Sequence, residues 1–308
     1  MWNENIPETM KKLIDENKSG INKVAAFGGL PLKREFDGED FCIVGIPYDT
    51  STTRREGTRF GPRAIRKQSP RLSNEKVYSQ DAHYLVDNLK GMDYGDLPVL
   101  GGYTEVTFQV IYEGMKNVLE NGCVPIVLGG DHIITYPQLR AYSEKCKKPF
   151  YTHGSPFRRA FEDGFLDAAH SIQIGIRGYN DSHRLEFAKE NGIEVITARM
   201  LHKMGIEECV RHIKEHVGDA PCIVTFDVDF LDPTVAPGTG TPVAGGFSSY
   251  EGYEIVREAL PGLNVQGFDI VEVTEDYDPA EITGLFAAHL VIQYMVIISK
   301  NKKLKGDK

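Results

Sequence analysis

Gly129-Gly130-Asp131-His132 and Asp227-Val228-Asp229-Phe230-Leu231-Asp232-Pro233 are the stretches on which the reading of this chain turns. Each follows an apolar run of strand length: Val124-Pro-Ile-Val-Leu128 before the first, Cys222-Ile-Val-Thr-Phe226 before the second. In an open α/β sheet, chemistry collects beyond the carboxyl ends of the strands. Asp227 and Asp229 stand at i and i+2, a spacing that on a strand points both side chains to one face. With His132 they make a set of hard oxygens and one imidazole. Such a set suits Mn²⁺ or Mg²⁺ better than a thiolate-type zinc site. Either motif alone also fits a structural role. Glycines at a strand–loop junction need mark only a tight turn, and Asp232 fits a capped turn that bonds backbone amides. Two such motifs at two strand ends point to a divalent-metal site.

The pattern outward from these runs is regular. Strand-like segments are predicted at 41–46, 124–128, 171–176, 194–197, 222–226 and 265–271. Helical patterns fall at 61–67, 104–120, 136–145, 156–165, 181–190, 206–216, 249–260 and 281–299, with Ser248 and Glu251 forming a capping box before one of them. The strands are nearly all apolar rather than alternating, as two-sided burial requires. Alternation of this kind predicts a three-layer αβα fold around a mostly parallel sheet. No repeat or linker divides the chain. One domain over 1–308 is expected, with a short helical N-terminal extension over about 1–38.

Composition bounds the partners. Of 308 residues 41% are hydrophobic and 26% charged, with 35 basic against 44 acidic side chains and a formal charge of −9. An acidic balance argues against general nucleic-acid or anionic-membrane binding and is compatible with a cationic substrate. The five cysteines include no Cys-x-x-Cys pair, so neither a disulfide framework nor a cysteine zinc site is expected. Cys42, Cys123 and Cys222 read as buried thiols. The N-terminal residues show no signal-peptide pattern, and the apolar stretch over 285–298 reads as a buried helix, so a cytoplasmic location is expected.

The motifs taken together resemble the ureohydrolases, the binuclear-manganese amidinohydrolases that include arginase and agmatinase. The resemblance runs through Gly45-Ile-Pro-Tyr-Asp49, Arg55-Glu-Gly-Thr-Arg-Phe-Gly-Pro-Arg-Ala-Ile-Arg66, Asp93-Tyr-Gly-Asp96 and the Gly-Gly-Asp-His run. It continues through Thr152-His-Gly-Ser155, Ile174-Gly-Ile-Arg177, the Asp227–Pro233 run, Ala236-Pro-Gly-Thr-Gly-Thr-Pro242 and Asp269-Ile-Val-Glu-Val273. The wording of 236–242 is closer to the agmatinase branch. The resemblance implies two manganese ions, with His132 a terminal ligand, Asp227 a bridge and Asp229 completing the second ion. It implies His153 as a proton shuttle to the departing amine and Glu272 as the carboxylate that holds the guanidinium. The implied reaction gives urea and an amine: agmatine to putrescine first, guanidinobutyrate and related guanidino acids as rivals. It also implies self-association to trimers or hexamers.

One departure stands out. The family carries a further strand ending in Asp-x-His-x-Asp between the Gly-Gly-Asp-His helix and the Thr-His-Gly-Ser loop. This sequence contains no Asp-x-His-x-Asp, and a central strand is missing near Phe150–Tyr151, where the alternation also fails. Loss of an internal strand would cost about 5–10 kcal/mol of apolar burial, against about 5–15 kcal/mol of net domain stability. Two readings follow. One is a longer protein from which this sequence leaves out an internal segment. The other is a metal-poor, non-catalytic homologue with a structural or regulatory role. The first predicts a wide Cα separation at Phe150–Tyr151 and an empty slot between the strands ending at Leu128 and Phe226.

Overall fold

The computed structural model describes residues 26–71, 89–146, 155–178 and 182–306. Among the described residues there are seven strands: β1 Phe41–Ile46, β2 Gly91–Asp96, β3 Val124–Gly129, β4 Ile172–Ile176, β5 Glu194–Thr197, β6 Cys222–Asp227 and β7 Val265–Val271. The helices are α1 Gly61–Gln68, α2 Thr104–Glu120, α3 Thr135–Cys146, α4 Ser155–Glu162, α5 Ser182–Glu190, α6 Ala198–Met204, α7 Ile206–Val217, α8 Ser249–Ala259 and α9 Ile282–Gly306. The expected capping box at the start of α8 is formed, with Ser248 and Glu251 bonding each other's backbone N–H.

Five strands form one parallel sheet in the order β2-β1-β3-β7-β6, and β4 pairs with β5 in a second parallel sheet. β1 is buried at every position and β3 at all but its first. One apolar layer joins the sheet to α1, α7, α8 and α9 through residues such as Ile65, Ile213, Ile255 and Leu290. The other joins it to α2, α3 and α4 through Ile111, Leu139, Tyr142 and Phe157. The three-layer expectation is therefore met.

β2 and α6 were not foreseen. β2 reads Gly-Met-Asp-Tyr-Gly-Asp, and its polar residues mask a strand. Asp93 is buried and Asp96 half-buried, and both are paired. The Arg66 guanidinium donates to both oxygens of Asp93 at 2.8 Å and to Asp96 at 2.5 Å. A buried charge is tolerated only with such partners.

The slot expected between β3 and β6 is not there. β7, the last strand in the chain, returns to the middle of the sheet and pairs with both, Leu128 and Phe226 each facing Ile270. The discontinuity lies between β6 and β4 instead. The 1–25 part of the expected extension, the Phe150–Tyr151 junction and His153 lie outside the described residues.

α9 is longer than its sequence pattern suggested. By length and composition it could cross a membrane, yet 78% of its most apolar window is buried within the fold. Tyr294 stacks on Phe268 of β7 at 4.2 Å, as a core helix under a sheet would.

Candidate active site

β3 delivers the first motif. Gly130 passes so close to the neighbouring loop that a Cβ there would sit 1.9 Å from the Tyr48 carbonyl oxygen. Only glycine allows this approach. The Gly130 and Asp131 N–H groups donate to the Ile46 and Tyr48 carbonyls at 3.0 and 2.7 Å, fixing the loop to the end of β1. Asp131 caps the short turn at His132–Ile134 and accepts the N–H groups of Ser51 and Ile133. Its carboxyl is buried, which lifts its pKa to about 6.

β6 delivers the second motif, with a local difference from the expected extended strand. The strand ends at Asp227, and Val228–Phe230 form a 3-10 turn capped by the Asp227 carboxylate, which accepts the Asp229 N–H at 2.9 Å. Asp227 and Asp229 nevertheless line the same cavity. The other oxygen of Asp227 lies 3.2 Å from His132 Nδ1, and His132 Nε2 is 3.0 Å from the Thr225 hydroxyl. Burial alone would pull the His132 pKa down, but the Asp227 carboxylate raises it to about 9. Asp229 accepts the Thr241 hydroxyl at 3.1 Å, and its backbone carbonyl accepts from Arg177. Burial first, and the Asp227 charge second, push the Asp229 carboxyl upward.

β7 delivers Glu272, whose φ of 68° is strained for a residue with a side chain. Its N–H donates to the Gly130 carbonyl at 3.0 Å, and its Oε1 accepts the His132 N–H at 2.9 Å. Burial, then the Asp227 charge, raises its pKa as well. Asp232, by contrast, is structural: it accepts N–H groups from Thr234, Gly245 and Gly246 and is held at about 2. The structure thus gathers His132, Asp227, Asp229 and Glu272 at the ends of three neighbouring strands. His153 is outside the described residues. Sequence reasoning missed three supporting groups, Thr225, Thr241 and Arg177. Arg177 and Thr241 carried a signal, the first closing the Ile174-Gly-Ile-Arg177 run and the second lying within the 236–242 run; Thr225, inside a strand pattern, carried none.

The donor chemistry suits a hard divalent cation. Asp131, Asp227, Asp229 and Glu272 are four carboxyls gathered around one imidazole. The arrangement does not close around an ion, however. Among the described residues no group of three or more His, Cys, Asp and Glu side chains is placed to hold one. The set as it stands does not fit the two manganese ions that the resemblance implies.

A parallel α/β sheet with an acidic, imidazole-bearing cluster at its carboxyl edge defines an enzyme whose chemistry sits at strand ends. The chain belongs to the arginase family, which matches it over residues 39–151 and 148–297. It falls on the agmatinase-like branch of these amidine C–N hydrolases. It is 38% identical to an agmatinase of Chromobacterium violaceum, over 92% of this chain and 91% of that one. It is 35% identical to the mitochondrial guanidino acid hydrolase of Rattus norvegicus, over 90% and 83%. A hypothetical agmatinase from Burkholderia thailandensis shares the fold at a TM-score of 0.84 and 35% identity, over 93% of both chains. The two matched stretches meet at residues 148–151. The alignment with the Chromobacterium protein spans 303 positions, about 20 more than the 92% of this 308-residue chain that it covers.

Proposed function

We propose that the cluster serves a manganese-dependent amidinohydrolase that converts agmatine to putrescine and urea in the cytoplasm, as a self-associated oligomer. The observation that carries this is the convergence of His132, Asp227, Asp229 and Glu272 at the carboxyl edge of three adjacent strands. The relatives named agmatinase and guanidino acid hydrolase support the substrate class. Agmatine is a dication, and Asp227, Asp229 and Glu272 are carboxyls that line the cavity beside His132. Glu272, fixed by two backbone bonds, accepts the guanidinium N–H groups once ionised. His153 is assigned the proton transfer to the leaving amine. His132, Asp227 and Asp229 are the residues that the resemblance assigns to manganese.

A second reading is favoured by the unclosed donor set. It is a non-catalytic homologue in a structural or regulatory role. Protein incubated with manganese and desalted separates the two. Urea released from agmatine faster than from 4-guanidinobutyrate supports the first reading. A folded protein that retains no manganese and releases no urea from either supports the second.

A further inference from the structure

The cavity that holds the acidic cluster is also lined, among the described residues, by three arginines: Arg54, Arg55 and Arg177. Two of them are occupied. Arg177 donates to the Asp229, Leu231 and Val243 carbonyls. Arg55 lays its guanidinium over the Tyr277 ring, 4.5 Å from the centroid. Arg54 is exposed and has no hydrogen bond, ion pair or ring contact among the described residues.

The backbone that carries Arg54 is pinned on both sides. Asp131 accepts the Ser51 N–H at 2.9 Å, which ties the segment to the turn bearing His132. Asp49 closes the segment from its other end. One carboxylate oxygen accepts the N–H groups of Gly57 and Arg59 at 2.9 and 3.2 Å, and the other pairs with the Arg59 guanidinium at 2.6 Å. The next residue after Arg54 passes close to Glu272. A Cβ placed on Gly240 would stand 3.3 Å from the Arg55 carbonyl oxygen and 3.3 Å from Glu272 Oε2. A ligand held by one end at Glu272 therefore shares its cavity with a cation on a fixed segment that no protein group neutralises.

We infer that Arg54 is a specificity-determining residue, which receives an anionic group at the end of the substrate remote from the guanidinium. The acidic cluster and Arg54 give one cavity both signs of charge. That pattern matches a zwitterion, with its guanidinium on Glu272 and its carboxylate on Arg54. The ligand class is the straight-chain guanidino acids, taken by this site beside agmatine. A guanidinium meets a carboxylate through two parallel N–H bonds, a fork that lysine does not reproduce. Agmatine carries an ammonium where the acid has its carboxylate, so the same side chain works against it. Placing the substrate guanidinium at Glu272 rests on the proposed function; the unneutralised cation in the cavity does not.

Binding tests this without reference to turnover. The full chain, desalted without added manganese, is titrated by calorimetry with 4-guanidinobutyrate and with agmatine. Wild type is expected to bind both. Arg54→Glu is expected to raise the Kd of 4-guanidinobutyrate roughly 10- to 100-fold and to lower that of agmatine. Arg54→Lys, which keeps the charge and loses the fork, should fall between wild type and Arg54→Glu for the acid. Because Arg54 is exposed and bonded to nothing, both variants are expected to melt with wild type. A wild type that binds no 4-guanidinobutyrate would overturn the inference. So would a Kd for the acid that Arg54→Glu leaves unchanged, or an equal weakening of both ligands. Urea release with manganese, followed on the same variants, keeps the two readings apart. The expected shift in binding with no urea from either ligand supports the role of Arg54 and contradicts the amidinohydrolase.

Discussion

Glu272 and His132 hold each other in place: Glu272 Oε1 accepts the His132 backbone N–H at 2.9 Å, while the Glu272 N–H donates to the Gly130 carbonyl two residues before His132. The two motifs are thereby locked into one unit, and the left-handed backbone at Glu272 is retained within it. Strain of this kind persists where the surroundings over-determine it, and it concentrates at functional sites.

Replacing Glu272 by Gln keeps the shape and removes the charge. The amide oxygen still accepts the His132 N–H, so the loop stays. A charge-assisted bond contributes about 1.5–3 kcal/mol. The KM for agmatine is expected to rise roughly 10- to 200-fold, with manganese content unchanged. Loss of manganese in this variant would make Glu272 a ligand instead.

Arg177 ties the end of β4 to the cluster. Its guanidinium donates to the Asp229, Leu231 and Val243 carbonyls, and Val243 belongs to the same loop as Thr241, which donates to the Asp229 carboxylate. Arg177→Ala removes all of these at once. A loss of about 2–4 kcal/mol is expected, read as a lowered urea midpoint. Arg177→Lys, with one point donor in place of a fork, should recover only part of it. Equal stability of wild type and Arg177→Ala would show that the loop is held by other contacts.

Gly130→Ala tests the close approach at the end of β3. The added methyl would have to displace the Tyr48 backbone, which is itself bonded to Asp131. Destabilisation of about 3 kcal/mol or more is expected by denaturant titration. A near-neutral effect would contradict the packing described here.

Much of this was legible because it follows simple periods. Short apolar runs such as 41–46 and 124–128, set between helical patterns, read as strands buried on both faces, and the acidic and imidazole residues follow the carboxyl ends of 124–128 and 222–226. β2 was not legible because its burial depends on Arg66, 27 residues earlier, which no local pattern reveals. The position of β7 between β3 and β6 was not legible either. Strand order is set by long-range packing rather than by residues within the strand. The i, i+2 reading of Asp227 and Asp229 assumed an extended backbone. The Asp227 carboxylate instead captures the Asp229 N–H and starts a 3-10 turn, a competition typical of Asp at strand ends.

Asp131, His132, Asp229 and Glu272 shift in one direction. Asp131 is raised to about 6, Asp229 and Glu272 are raised by burial and the Asp227 charge, and His132 is raised to about 9. A group whose pKa rises on folding favours the fold while its proton is on. That contribution is complete below the unfolded pKa and is lost as pH rises through the folded one. The carboxyl contribution therefore begins to fall above about pH 4, and the His132 contribution falls between about 6.5 and 9. The cation-free protein is expected to melt at least about 3 °C lower at pH 9 than at pH 5. A midpoint that rises over this range would contradict the assigned environments.

The most direct test of the amidinohydrolase reading is manganese per chain in wild type and Asp227→Asn, measured by elemental analysis after desalting, with urea release from agmatine followed on the same samples. Asp227 stands between His132 and Asp229 and is the carboxylate on which both depend. The account predicts that wild type retains manganese and releases urea, and that Asp227→Asn loses both together while remaining folded. Urea release that survives in Asp227→Asn, or a folded wild type with neither manganese nor urea release, would contradict it.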